Sequence, residues 1–255
     1  MKKLLILPAL FLSLLTFSCS DDDSSNSTPA ADDPTTRIPV KDEVMQASTF
    51  KYKRFYQEAE TEATRKGIVI LAHGDGTDEN DATLNDQCIA LAQQGYVAVT
   101  TSYDIPENST LAETNLRFKG QINEVIVDLT TIFDIPRNKV IIGGLSRGGN
   151  NSFALVLPGQ AGISPIEGIK GVILECSGGD TWKGSAILFP VAYMSTLNDD
   201  VMNANANEFK TGLTQNNNAG VATASECLII PGTGHCTDSG KYKAFVVAKV
   251  KQWLP

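Results

Sequence analysis

The chain has 255 residues, 42% of them hydrophobic and 20% charged, a globular composition that excludes wholesale disorder and collagen-like repetition. Acidic residues (29) outnumber basic ones (21), giving a net charge of −8, which argues against nucleic acid as a partner because phosphate neutralisation needs a basic surface. Five cysteines are too few to staple a chain of this length.

Lys2 and Lys3 precede an apolar run from Leu4 to Phe17, about fourteen residues, which is short for a bilayer span and fits the hydrophobic region of a secretory signal. The run ends at Ser18-Cys19, so residues 1–18 are expected to be a signal peptide. Residues 20–36 (SDDDSSNSTPAADDPTT) hold no large apolar side chain, and with Cys19 they make an acidic tether over 19–36 that has nothing to bury. As a coil it would reach about 20–25 Å. The folded domain is expected over 37–255.

Thr49 to Gln57 reads as antiparallel edge strands. Gly67 to Ala72 is a continuous apolar run ending in His73-Gly74, the pattern of a strand buried on both faces. Leu84, Cys88, Leu91 and Ala92 then recur at helical spacing, with Gly95 as the stop. A β-branched run follows at Tyr96–Thr101. Phe118, Ile122, Val125, Leu129 and Ile132 step 4-3-4-3 along one helical face. Further strands fall at Val140–Gly144, Ile169–Leu174, Val191–Thr196 and Cys227–Ile230. The final helix places Tyr242, Phe245, Val246, Val250 and Trp253 on one side. Such alternation calls for an α/β fold: a mostly parallel, doubly wound sheet with helices on both faces. About sixteen residues separate Leu174 from Val191, too few for an inserted cap domain, so the site should be an open cleft.

Chemistry in such a sheet gathers at the carboxyl ends of the strands. Gly144-Leu145-Ser146-Arg147-Gly148 stands between a buried strand and a helix, where a serine hydroxyl is exposed at a turn too tight for a Cβ on its flanks. Leu197-Asn198-Asp199-Asp200 and Gly232-Thr233-Gly234-His235 follow two other strands, completing the order Ser…Asp…His. Ser146 would attack a carbonyl, His235 would take its proton, and Asp199 would fix the imidazole. Asp200 and Asp180 are rival acids. His73, the other of two histidines, better suits an oxyanion loop than a base. The backbone N–H groups of Arg147 and Asp75 are the expected oxyanion donors, provided that the Asp75 carboxylate turns away.

These residues resemble the α/β-hydrolase superfamily, and the layout is similar to its dienelactone-hydrolase and cutinase or polyester-hydrolase branch. The likeness rests on His73-Gly74-Asp75-Gly76, Gly95-Tyr96-Val97-Ala98-Val99, the Ser146 elbow, Asn198-Asp199 and Gly234-His235-Cys236. It implies the acid at Asp199 and a tryptophan lining the acyl cleft, a place that Trp182 would occupy. Arg147 and Asp75 depart from that branch, which carries methionine and an aromatic or apolar residue there. Cys19, after an apolar run and before Ser20-Asp21-Asp22-Asp23, looks like the lipidated cysteine of a surface-displayed bacterial lipoprotein.

Among the other cysteines, Cys176 and Cys236 both sit at carboxyl ends and are the pair closest to disulfide reach, with free thiols as the alternative. No Cys/His spacing suits a metal and no glycine loop suits a phosphate, so no cofactor is expected. The expectation is a monomeric, surface-anchored serine esterase touching the membrane through its N-terminal lipid alone. A serine exopeptidase or amidase, or a non-catalytic surface lipoprotein that binds a glycan or protein partner, is the alternative.

Overall fold

The computed structural model describes residues 38–61, 64–159 and 162–255, and Ile38–Pro255 form one compact unit. The expected signal peptide, Cys19 and the acidic tether lie outside the described residues.

Val40–Gln46 (β1) and Lys51–Gln57 (β2) pair antiparallel at one edge of the sheet. The sequence pattern showed the second of these and not the first. Lys41, Asp42 and Glu43 make β1 read as a loop, yet charge is what keeps an exposed edge from recruiting another strand. Inside that edge come Ile68–Ala72 (β3), Val97–Thr101 (β4), Val140–Leu145 (β5) and Gly171–Glu175 (β6), every residue buried. Val191–Asp199 (β7), Ala204–Asn205 (β8) and Glu226–Thr233 (β9) complete the sheet.

The strand order is β1-β2-β4-β3-β5-β6-β7-β8, with β9 also pairing to β7. The pairings β3–β4, β3–β5, β5–β6, β6–β7 and β7–β9 are parallel. Strand β3 therefore has β4 on one side and β5 on the other, so the chain reverses its direction of travel across the sheet there. The carboxyl ends of β3 and β5 flank the crevice that this reversal opens.

Helices cover both faces. Leu111–Ile132 (α2) and Arg147–Val156 (α3) pack with Ala206–Thr214 (α5) through Phe118, Val125, Phe153 and Phe209. On the opposite face Ala82–Ala92 (α1) and Ser239–Trp253 (α7) bury Leu84, Leu91, Val246 and Trp253. Each such side chain contributes about 1.5–3 kcal/mol by leaving water. Local chemistry sets the helix starts. Asp81 caps α1, and Thr110 with Glu113 forms a reciprocal capping box on α2. Gly95, at φ +89, turns the chain after α1. Ile132 departs from its expected burial and is 48% exposed; Phe133 and Ile135, just beyond, turn inward and cover the core instead.

Residues 176–190 hold one short helix, Thr181–Ala186 (α4), and no inserted domain. It lies against α5 at two glycines: a Cβ on Gly184 would strike the Phe209 carbonyl, and one on Gly212 the Thr181 carbonyl. Ala219–Ala224 (α6) then leads into β9.

Candidate active site

Ser146 occupies the turn between β5 and α3 at φ 53°, ψ −115°. A non-glycine residue in that region is strained by about 1–3 kcal/mol, and the surroundings hold it there. Its N–H donates to the Glu175 carbonyl at 2.7 Å, and its own carbonyl accepts from the Asn150 N–H at 2.8 Å. The flanking glycines are obligatory. A Cβ at Gly144 would run into the Ala72 carbonyl and the Gly148 backbone, and one at Gly148 into the Ala72 and His73 carbonyls.

The Ser146 hydroxyl reaches His235 Nε2 at 2.7 Å. The other ring nitrogen, Nδ1, faces both oxygens of Asp199, at 2.8 Å to Oδ2 and 3.0 Å to Oδ1. Asp199 is 3% exposed, and its Oδ1 also accepts the N–H groups of Val201 (3.1 Å) and Met202 (3.0 Å), which fixes the carboxylate before the imidazole meets it. His235 lies just past β9, and two glycines with positive φ lead to it, Gly232 (φ 106) near the end of the strand and Gly234 (φ 122) in the loop. That loop is tied back to β7: Gly234 N–H donates to the Asn198 carbonyl at 3.3 Å, and the Thr196 hydroxyl donates to the Gly234 carbonyl. Hydroxyl, imidazole and carboxylate thus stand in one hydrogen-bonded line. Such a line lets the hydroxyl pass its proton to Nε2 while the carboxylate stabilises the resulting cation.

The rival residues are elsewhere. Asp200 is exposed, and Asp180 caps α4 through the Lys183 N–H at 2.7 Å. His73 is buried with its ring stacked on Tyr103 (centroids 4.5 Å apart) and its Nδ1 against the Gly74 carbonyl and the Thr77 hydroxyl. It braces the loop after β3.

Asp75 turns outward. Its Oδ1 accepts from Arg147 Nη1 at 2.8 Å, with side chains 74% and 49% exposed respectively. Among the described residues, neither the Asp75 N–H nor the Arg147 N–H has a hydrogen-bond acceptor, so both amides are free to take a developing oxyanion. Tyr103 stands behind this loop, donating to the His73 carbonyl at 3.2 Å, its phenol pushed up to about 12 by burial. Trp182 is half exposed, at the start of α4. A cavity of about 750 Å³ between β1, β2 and α2 is lined by Ser48, Tyr52, Glu124 and Asp128 and by none of the residues in the line.

Cys88, Cys176, Cys227 and Cys236 are free thiols, the alternative that the sequence left open; Cys176 and Cys236, the pair expected nearest to disulfide reach, meet without being bonded. Burial pushes the Cys176 thiol up.

Sequence reasoning missed Gln87 and Glu175. Glu175 is fully buried and its carboxyl is pushed up to about 8, first by burial, with Asp81 adding to it and the Gln87 hydrogen bond opposing it. A signal existed in both cases. Gln87 sits on the apolar stripe of α1 between Leu84 and Leu91, and Glu175 ends an otherwise apolar strand.

No protein-family model matches the chain, and no curated protein matches it in sequence. Solved structures do match. Thermogutta terrifontis esterase 2, phosphonylated by cyclosarin, superposes with a TM-score of 0.63 at 14% identity, covering 86% of this chain and 97% of that one. A Klebsiella pneumoniae protein described as a dienelactone hydrolase gives a TM-score of 0.63 at 12% identity, covering 85% and 98%. The feruloyl esterase module of Clostridium thermocellum, complexed with sinapinate, gives 0.61 at 15% identity, covering 89% and 93%. The chain has the α/β-hydrolase fold, in a form like that of dienelactone hydrolases.

Proposed function

We propose that this protein is a serine hydrolase of carboxylic esters. The observation that carries the reading is the unbroken line from Ser146 Oγ to His235 Nε2 (2.7 Å) and from His235 Nδ1 to Asp199 (2.8 Å). Ser146 attacks the ester carbonyl as His235 accepts its proton, and the Asp75 and Arg147 amides bind the oxyanion. Collapse of the tetrahedral intermediate expels the alcohol, which takes the proton from His235. Water, deprotonated by the same imidazole, then releases the acid and restores Ser146.

The fold is shared with esterases, among them Thermogutta esterase 2 in propionate-bound and butyrate-bound forms, which supports ester over amide chemistry. The short segment over residues 176–190 leaves the site open, and half-exposed Trp182 offers an apolar wall for the acyl group. A fluorophosphonate probe tests the reading: it should label folded protein at Ser146 and leave Ser146→Ala unlabelled. Unlabelled wild-type protein would overturn it. Hydrolysis of p-nitrophenyl acetate without hydrolysis of aminoacyl anilides would separate esterase from peptidase.

We also propose that the chain is exported and lipid-anchored at Cys19, on the strength of the apolar run before it and the acidic stretch after it. Incorporation of labelled palmitate, lost in Cys19→Ala, tests that anchor.

A further inference from the structure

Behind the Ser146 elbow lies a buried carboxyl that the proposed chemistry leaves unused. Glu175 is the last residue of β6, paired in register with Leu145, and its side chain enters the apolar layer between the sheet and helices α1 and α7. It is 0% exposed. Gln87 of α1, also fully buried, donates Nε2–H to Glu175 Oε2 at 2.7 Å. Two atoms of this pair have no partner: Oε1 of Glu175 and Oε1 of Gln87.

Both orphans are acceptors as long as Glu175 is an anion, and an unpaired buried acceptor is costly. A single proton on Glu175 Oε1 supplies the missing donor. The acid O–H can then bond the amide oxygen while the amide N–H bonds the acid carbonyl, closing an eight-membered ring in which no polar atom is left over.

The surroundings favour the neutral acid. Besides Gln87, the titratable groups close enough to act on Glu175 through their charge are Asp81 and Cys88 of α1 and its cap, Tyr242 of α7 and Cys176, the next residue in the chain. None of these groups carries positive charge. The backbone of Glu175 is equally committed, since its carbonyl accepts the Ser146 N–H at 2.7 Å and the Ser177 hydroxyl at 3.3 Å. A continuous path therefore runs from α1 through Gln87 and Glu175 to the elbow.

We propose that Glu175 is a positioning residue, held as a neutral carboxylic acid in a ring with Gln87 that fixes the Ser146 elbow, and that loss of its proton loosens the elbow. The proposal rests on the reading of Ser146 as nucleophile. Ionisation would set a carboxylate against the Gln87 carbonyl oxygen in a dry layer. The ring must then open, and the carbonyl that anchors Ser146 moves with it.

Two measurements test this. In difference infrared spectra of wild type against Glu175→Gln, a protonated-carboxyl C=O band should be present at neutral pH and vanish as pH rises through about 8. This readout needs no turnover, so it stands whether or not the esterase reading holds. In the second, the rate of fluorophosphonate labelling at Ser146 should fall in wild type above about pH 8, by about tenfold per pH unit, and stay flat in Glu175→Gln. If Glu175→Gln does not fold, Gln87→Asn serves: a side chain one methylene shorter cannot close the ring, so fluorophosphonate labelling at Ser146 should be slowed already at neutral pH, where the wild-type acid still holds its proton. A carboxylate at neutral pH, an alkaline limb retained unchanged by Glu175→Gln, or neutral-pH labelling unchanged by Gln87→Asn would overturn the proposal.

Discussion

Asp75 and Arg147 meet at 2.8 Å across the mouth of the site, each following a residue of a different strand end, and the contact points the Asp75 carboxylate into solvent. The same two residues carry the amides proposed to hold the oxyanion. A bare carboxylate there would oppose the charge that develops in the transition state, so the guanidinium acts as a local counter-charge. Both side chains are well exposed, and such a pair adds about 0–1 kcal/mol to stability. Arg147→Ala should therefore leave the melting temperature nearly unchanged while lowering kcat/KM about tenfold. Adding Asp75→Asn should recover most of that loss. A double-mutant cycle on ester hydrolysis reads the coupling, and additive effects would show that the pair has no electrostatic role.

Asp199 is the member of the line whose replacement separates geometry from chemistry. In Asp199→Asn the side-chain amide would keep an oxygen for the Val201 and Met202 N–H groups, yet its NH₂ cannot accept the hydrogen bond from the His235 Nδ1–H. The variant should thus fold with near-native stability and lose about 10⁴ in kcat. Ser146→Ala should lose about 10⁶. Comparing denaturant midpoints with turnover for both variants checks the separation.

The elbow also makes a prediction about folding. At Gly148 a Cβ would meet two backbone carbonyls, of Ala72 and His73, which no side-chain rotation can relieve. Gly148→Ala should cost at least about 1–3 kcal/mol, the range for overpacked cores. Because β3 must withdraw from the elbow to admit the methyl, fluorophosphonate labelling should fall together with stability. Gly76→Ala offers a contrast. Its Cβ would meet nothing within 4 Å, and its cost is confined to its left-handed backbone (φ 74).

How much of this was legible from residues alone follows from what each residue must do locally. The buried strands and the elbow were readable because their requirements are local: unbroken apolar runs, and glycine where a turn excludes a side chain. The choice of Asp199 over Asp200 was readable as a preference, and it becomes a geometry through the Val201 and Met202 amides, two and three residues further along. The β1 strand was hidden because its charges serve solubility at an edge. The short helices α4 to α6 were hidden because their contacts, such as Gly184 on the Phe209 carbonyl, depend on neighbours distant in sequence. Gln87 and Glu175 lie 88 residues apart, and a polar residue on an apolar stripe reveals its partner only when the sheet is assembled.

Thiol reactivity follows burial. Cys88 and Cys176 are fully buried, and burial pushes the Cys88 thiol up to about 12, so neither presents a thiolate at neutral pH. In native protein both should resist iodoacetamide for as long as the domain stays folded, and react fully in denaturant. Peptide mass mapping before and after unfolding gives the comparison. Rapid native alkylation of either would mean that the layer beneath the elbow opens to solvent.

The buried acid sets a dependence of stability on pH whose sign can be worked out. Glu175 has an ordinary value of 4.5 in the unfolded chain and is raised to about 8 in the fold. Below pH 4.5 both states hold the proton, and this group imposes no pH-dependent penalty. Between these two values the unfolded chain has released the proton while the folded chain keeps it, so the unfolded state binds fewer protons. Stability then falls as pH rises, by about 1.4 kcal/mol per unit at most, and levels off above the folded value. Glu175→Gln does not titrate and should lack this slope. Urea denaturation of both proteins at two pH values inside the window should show wild type losing ground to the variant at the higher one, and equal changes in the two proteins would mean that Glu175 is ionised in the fold.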